Sequence, residues 1–382
     1  MWWRNIRCKS DGLRRAKSLT ALGWLAVVMV LAGCAPEAPT ERTTPSILDA
    51  HGTGAAIIGQ EWWILFSAAA AIFVLVVGLM LWAVVRQRNG HVDVPSDLHE
   101  GVQATQEGMQ GQVNSGQLDM RDMPAEAHAG GGTRWIWLGG IAMPLVVLLG
   151  VFALTVTDIR ALEAPPSDEV AALRINGHRW WWEVEYPDLG ITTANQIYVP
   201  VGQAVKIELT SNDVIHSFWV PQLQFKRDLI PGQTNTIWLQ ADKPGIYRGL
   251  CAEYCGLQHA QMNFMVVALY PREYEQWVAH EGSDAAKPSE ALAKAGQQVF
   301  LGKGCMYCHT IRGSSAAGWL GPDLTHLASR LTIAGGSLEN NTGNLGGWIL
   351  DPQHIKPGAL MPATPLSGQE LQELLAYLNG LK

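Results

Sequence analysis

Residues 249–262 read GLCAEYCGLQHAQM, with Cys251 and Cys255 four apart, His259 four further on and Met262 three beyond that. Three chemistries gather sulfur and imidazole this tightly: a disulfide, a redox dithiol and a metal. A disulfide over so short a loop is feasible but leaves His259 and Met262 without a role. Two thiolates, an imidazole and a thioether make up the soft-plus-borderline donor set that copper prefers, whereas zinc would want no methionine. A blue-copper centre takes one cysteine, so two point to thiolates bridging a pair of coppers. Such a cluster wants a second imidazole, and DVIHSFWVP supplies His216 from an earlier strand.

The sequence around this loop is β in character. LRINGHRWWWEVEYPD, ANQIYVPVGQAVKIELTS, VIHSFWVPQL and TNTIWLQADKPGIYRGL are short β-branched and aromatic runs punctuated by Pro, Gly, Asn and Asp. That spacing predicts an antiparallel sandwich or barrel over 158–280. The small, polar stretch at 281–289 reads as a linker. Beyond it, Cys305-Met306-Tyr307-Cys308-His309 is the C-x-x-C-H pattern of covalent haem attachment. Cys305 and Cys308 would add to the vinyl groups, with His309 as proximal ligand. Met361, in IKPGALMPA, is the expected sixth ligand, because a thioether opposite imidazole raises the potential and suits electron transfer. Met306 is sterically wrong for that role, and His326 and His354 are weaker candidates. A thioredoxin-like dithiol would sit in a βαβ context that this region lacks. SEALAKAGQQVF reads as helix, and SGQELQELLAYLNGLK reads as a closing helix with Ser367 and Glu370 as a capping box. Residues 290–382 are therefore expected to form a small all-α haem domain.

The first half of the chain is built for a membrane. Leu19 to Ala32 is a short apolar run behind a basic segment, which fits a signal peptide over 1–33. It ends Leu31-Ala32-Gly33-Cys34, a pattern that resembles a bacterial lipobox and makes Cys34 a lipidation candidate; an ordinary export signal is the alternative. Residues 34–61 would then face outward. Trp62 to Val85 and Trp135 to Thr157 carry no charge and are long enough to span as helices, with tryptophans near their ends. Arg86, Arg88 and Arg134 flank residues 86–134, which places that flexible loop in the cytoplasm and everything after 157 outside. Its histidines His91, His99 and His128 read as solvated. Neither run offers an intramembrane histidine or ionisable group for binding haem or moving protons. Residues 158–289 hold sixteen acidic and ten basic side chains, against six of each in 290–382. The acidic excess fits either steering of a basic partner or plain solubility.

Cys251-x-Glu253-x-Cys255-x3-His259-x2-Met262, together with His216, NGHRWWWEVEYPD and KRDLIPGQTN, closely resembles the CuA-binding domain of cytochrome c oxidase subunit II, over about residues 60–280. With its haem domain, the chain resembles subunit II of the cytochrome-c-fused, caa-type bacterial oxidases. The resemblance implies a multidomain membrane protein: a two-helix transmembrane hairpin, an all-β cupredoxin-like sandwich and an all-α class I cytochrome c domain. It implies that Cys251 and Cys255 bridge both coppers, that His216 and His259 bind one each, that Met262 ligates weakly and that Glu253 binds through its backbone carbonyl. The Glu253 side chain would also face a magnesium at the boundary with subunit I. Trp180 matches the family's surface tryptophan for electron entry. Relatives often interleave tyrosine in the Trp180–Trp182 run, so which ring carries electrons stays open, with packing the better reading for Trp181 and Trp182.

The implied activity is that of a proton-translocating cytochrome-c oxidase complex in the bacterial plasma membrane, for which this chain supplies electron transfer and no catalytic residue. Implied partners are subunit I, where O2 is reduced to water, subunit III, the lipid membrane, and a donor such as a cytochrome c or a quinol–cytochrome c reductase. No nucleic acid is expected. Tethering would hold the haem domain at millimolar effective concentration beside the copper. A nitrous oxide reductase would need a large histidine-rich domain, and a copper-delivery protein would need neither Met262 nor a haem. A CuA-containing subunit of a nitric oxide reductase remains the alternative, distinguished by its catalytic partner.

Overall fold

The computed structural model describes residues 45–89, 132–164 and 169–382. The signal segment, Cys34 and most of the 86–134 loop lie outside the described residues. Helix α1 is Thr53–Asn89, and helix α2 runs through Gly132–Trp137, a π-helical turn Leu138–Ala142 and Met143–Glu163. Within them Thr53–Arg86 and Arg134–Glu163 are long and apolar enough to cross a membrane, and the most apolar stretch of each is unburied. Both outrun the expected spans. At 1.5 Å per residue the first is about 50 Å long against about 30 Å of hydrocarbon. Its surplus start is bolted to the β-domain: Ala55 is buried, and its N–H donates to the Leu223 carbonyl at 3.1 Å. Gly52 allows that approach, since a Cβ there would stand 2.4 Å from the Gln240 carbonyl oxygen. Thr155 on α2 donates to the Glu61 carboxylate on α1 at 2.6 Å and ties the pair together.

Ten strands follow: β1 Glu169–His178, β2 Trp181–Tyr186, β3 Ile191–Ala194, β4 Gln196–Pro200, β5 Ala204–Ser211, β6 His216–Trp219, β7 Arg227–Leu229, β8 Asn235–Leu239, β9 Gly245–Cys251 and β10 Asn263–Leu269. They form two five-stranded sheets, β3-β2-β1-β5-β8 and β4-β10-β9-β6-β7. The period-two sequence pattern sets which side faces in: Trp182, Val184 and Tyr186 are core, while Glu183 and Glu185 point outward. The sandwich is not purely antiparallel as expected, for β1 pairs with β5 and β4 with β10 in parallel. The reason is a change of sheet. At Asn195, in the left-handed region (φ 60°), the chain leaves the first sheet, and β5 can rejoin it beside β1 only by a crossover.

Helix α3, Pro271–Glu281, was not foreseen. Pro271 at its first position is pre-set for a helix start, and Trp277 stacks on Tyr198 at 4.4 Å. The linker expected at 281–289 therefore begins as helix, and it does not hang free. Arg312 donates to the Glu281 carbonyl, Ala285 N–H donates to the Arg312 carbonyl at 3.1 Å, and Ser283 O stands 3.1 Å from His326 Nε2.

The last domain contains α4 Ala291–Gly302, the short strands β11 Thr332–Ile333 and β12 Leu338–Glu339, then α5 Thr342–Leu350, α6 Pro352–Ile355 and α7 Gly368–Leu378. Phe300, Leu345, Ile349, Leu374, Tyr377 and Leu378 share its core. Helices α4 and α7 touch at Gly296, where a Cβ would stand 1.9 Å from the Glu373 carbonyl oxygen, so only glycine fits. Ser367 and Glu370 form the expected capping box.

Candidate metal centres

Strand β9 delivers Cys251 at its end, β6 lies beside β9 and starts at His216, and the loop 252–262 returns to β10. The loop is closed by the Cys251 N–H donating to the Met262 carbonyl at 3.1 Å. Cys251 Sγ and Cys255 Sγ are 3.8 Å apart, well beyond a disulfide bond of about 2.05 Å, and both are free and buried. His216 Nδ1 lies 4.0 Å from Cys251 Sγ, His259 Nδ1 3.6 Å from Cys255 Sγ, and Met262 Sδ 3.7 Å from Cys255 Sγ. The Glu253 carbonyl oxygen is 3.2 Å from Cys251 Sγ, while the Glu253 residue is exposed. Ligand atoms of His216, Cys251 and Cys255 all fall within 4.8 Å of one another. Soft donors converge on one point, a fit to copper in the chemistry of the set. The thiols titrate as a pair: their mutual hydrogen bond pulls Cys251 down and, with burial, pushes Cys255 up.

Sequence reading missed the residue that orients this set. Asp213 accepts from His216 Nε2 at 2.8 Å and from the Val214 and Arg179 amides at 2.7 Å each. Burial would raise its pKa, but these bonds prevail and hold the carboxyl at about 2. Donation of Nε2–H to Asp213 turns the Nδ1 lone pair of the fully buried His216 toward Cys251. The available signal was the spacing DVIH, a carboxylate three residues ahead of the histidine. Gly177 makes the room, because a Cβ there would stand 2.7 Å from His216 Cδ2.

Trp180 differs from the expected surface ring. Its Nε1 donates to the Cys255 carbonyl at 3.0 Å, which joins it to the metal loop, yet it is only 8 % exposed. The haem-attachment domain covers it. Gly358 packs on its ring, and Lys356 Nζ donates to its carbonyl at 2.8 Å. Trp182 is core, and Trp181 stacks on His178 at 4.3 Å.

In the haem-attachment domain Cys305–Tyr307 is a single 3-10 turn opened by Gly304 in the left-handed region (φ 82°). His309 Nδ1 meets the Pro322 carbonyl at 2.7 Å, so Nε2 carries the lone pair. Burial pushes the imidazole below its usual pKa, which keeps it a neutral ligand. Beside it Gly321 leaves a cradle that a Cβ would fill, 2.6 Å from His309 Cε1. Two thiols, a preset imidazole and this cleft fit a covalent haem. Met361 is half-buried against the same apolar cluster as Cys305. His326 has its ring nitrogens 2.7 Å from Lys382 O and 3.1 Å from Ser283 O, which engages both, and His354 is exposed.

A sulfur-rich pocket fit for a soft metal at one end of a β-sandwich, a fused C-x-x-C-H domain and two membrane-length helices define a class, the membrane-anchored subunits with a cupredoxin-like and a cytochrome c domain. Family models agree: residues 189–269 match the cytochrome c oxidase subunit II periplasmic domain, and residues 293–382 match cytochrome c. Cytochrome c oxidase subunit 2 of Alkalihalophilus pseudofirmus is 41% identical over 68% of this chain and 76% of its own. The Bacillus sp. PS3 and Bacillus subtilis proteins of the same name are 34% and 32% identical, over 63% and 62% of this chain and 72% and 70% of theirs. A solved periplasmic domain of subunit II from Bradyrhizobium japonicum is 30% identical, with a TM-score of 0.29, over 31% of this chain and 95% of its own. The chain belongs to the cytochrome c oxidase subunit 2 family and carries a fused cytochrome c domain, as caa-type subunits do. It is a membrane protein and part of a haem–copper oxidase complex, associated with subunit I; its two domains are those of the CuA and haem c cofactors.

Proposed function

We propose that this chain is the electron inlet of its oxidase. A reductant such as a cytochrome c or a quinol–cytochrome c reductase is served at the haem domain, and subunit I receives the electrons for O2 reduction. Haem c and the copper pair would supply the one-electron relay. Cys251 and Cys255 would bridge the coppers, flanked by His216, His259, Met262 and the Glu253 carbonyl. Cys305, Cys308, His309 and Met361 would hold the haem. Trp180 would be the ring nearest the electron's entry into the copper loop, a reading its bond to the Cys255 carbonyl supports. The exposed Glu253 side chain would face a magnesium at the subunit I boundary. Both long helices would span the membrane with the metal domains outside and subunit III nearby, and Cys34 would carry the lipid.

One observation carries the reading: four donor atoms, from β6 and a single loop, crowd around two unbonded, buried thiols. A matured chain should be purple, with a mixed-valence copper spectrum and a seven-line electron-spin resonance. Zinc in the site, or an intact Cys251–Cys255 disulfide with no colour, would reject it. Identifying the co-purifying subunit by mass and optical spectrum decides between an oxygen-reducing and a nitric-oxide-reducing complex.

A further inference from the structure

The haem domain meets the copper domain through the β11–β12 turn and the segment that follows α6. At the centre of that contact is Lys356, 2 % exposed. Its ammonium donates to the carbonyls of Trp180 at 2.8 Å, Gln261 at 2.9 Å and Ala334 at 2.9 Å. The first two acceptors belong to the copper domain and the third to its own. Lysine is almost never this buried unless its charge is paired, and here three carbonyl dipoles match its three hydrogens. Burial pushes its pKa down to about 7, opposed by the nearby Cys255.

The turn opposite is shaped for this side chain. Ala334, Gly335 and Gly336 are all left-handed, with φ of 53°, 66° and 78°. A Cβ on Gly335 would stand 2.5 Å from both Lys356 Nζ and the Trp180 carbonyl oxygen; one on Gly336 would stand 2.9 Å from the Asn263 carbonyl oxygen. Around the ammonium, Asn263 N–H donates to Gly335 O at 2.9 Å and Gln258 Nε2 to Pro357 O at 2.7 Å. Farther out, Leu331 N–H donates to Gln196 Oε1 at 3.1 Å. Every bond in this set except that to Ala334 crosses between domains, and the lysine is five residues before Met361.

We propose that Lys356 is a positioning residue that holds the Met361-bearing segment against Trp180 and the copper loop, so that the haem domain is docked and does not swing on its linker. The functional interest of that pose rests on the reading of this chain as an electron inlet. A docked domain closes Trp180 to outside proteins, which favours the haem domain as the approach for a soluble donor.

Hydrogen exchange on the detergent-solubilised full chain tests the docking directly. In Lys356→Met, and separately in Gly335→Ala, the amides of Asn263 and Leu331 should exchange at least tenfold faster. Amides within each domain, such as Val266 in β9–β10 pairing and Leu374 in α7, should keep their rates. In the loaded protein, flash-induced transfer of one electron from reduced haem to oxidised copper should slow at least tenfold with both absorption spectra unchanged. Unaltered exchange at Asn263 and Leu331 in both variants overturns the proposal. So does faster exchange throughout both domains, which would make Lys356 a general support of the fold. Wild-type chain that takes up no copper or haem would instead count against the electron-inlet reading, with the exchange result still deciding the docking.

Discussion

Replacing Asp213 with alanine tests the site without touching any proposed ligand. The substitution leaves His216 Nε2–H, at 0 % exposure, without its acceptor at 2.8 Å. A buried donor stripped of its partner costs about 1–3 kcal/mol, and the imidazole can escape that cost by taking the other tautomer or turning its ring. Either escape points a hydrogen, or nothing, at Cys251. Loss of such an orienting partner lowers metal affinity about 10–100-fold, or roughly 1.4–2.7 kcal/mol. The Val214 and Arg179 amides also lose their acceptor, so the loop that starts β6 should loosen. Copper affinity is measured by competition against a chelator, with the electron-spin spectrum as a report on symmetry between the two metals. Asp213→Asn keeps an acceptor oxygen and should lose less than the alanine variant. Equal affinity and an unchanged spectrum in Asp213→Ala would refute the claim that this carboxylate sets the tautomer of His216.

Other outcomes follow from the same geometry. Gly177→Ala drives a methyl to within 2.7 Å of His216 Cδ2 and should cost about 1–3 kcal/mol by overpacking, read as a lower melting temperature with reduced copper occupancy. Met361→Ala should lower the haem potential and open the sixth position to added ligands; an unchanged optical spectrum would move that role to another residue. Glu370 is held at about 2 by the Lys303 ammonium, the Ser367 backbone N–H and the Ser367 hydroxyl. Because its folded pKa is depressed, its stabilising effect is complete above the ordinary carboxylate range and disappears as pH falls through about 2. Glu370→Gln should therefore melt lower than wild type at pH 7, with the gap closing between about pH 4.5 and pH 2.

What the sequence disclosed was chemistry carried by close neighbours in the chain. Cys251 to Met262 fit one loop and Cys305 to His309 one turn, so donor type and spacing sufficed to nominate them. His216 needed a distant strand, and it was found only because two thiolates wanted a second imidazole. Asp213 was passed over because an aspartate in a turn sequence is ordinary; its meaning depends on β6 pairing with β9, which no local spacing encodes. Helix α3 was hidden by its composition, since PREYEQWVAHE is mostly polar, and it is the packing of Trp277 on Tyr186 and Tyr198 and of Val278 on the core that holds the helix in place. The parallel pairs escaped for a similar reason: strand direction is set by where the crossovers run, and alternation is the same for either direction. Trp180 was expected in the open as a surface ring, whereas it lies under cover beside the copper loop. Its cover comes from residues 334–336 and 356–358, which have no pattern of their own.

That cover changes what the linker is for. A flexible tether supplies concentration, in the millimolar range for a short connection. Concentration alone leaves the domain to collide and leave. Two separate domains that bound with a Kd of 0.1 mM, about −5.5 kcal/mol, would be a poor complex in solution. Joined at about 1 mM effective concentration, the same contact is occupied about ten times more often than not. An interface of a few small residues and half a dozen hydrogen bonds can reach that strength. The bonds from Lys356 have a charged donor, as does the longer one from Arg330 to Thr193, and such bonds contribute about 1.5–3 kcal/mol against about 1 for a neutral pair. Removing a contribution of that size takes a tenfold preference to parity or below, because 1.4 kcal/mol is a factor of ten. At that assumed strength the docked state would be poised: strong enough to persist when tethered, and weak enough that one side chain decides it.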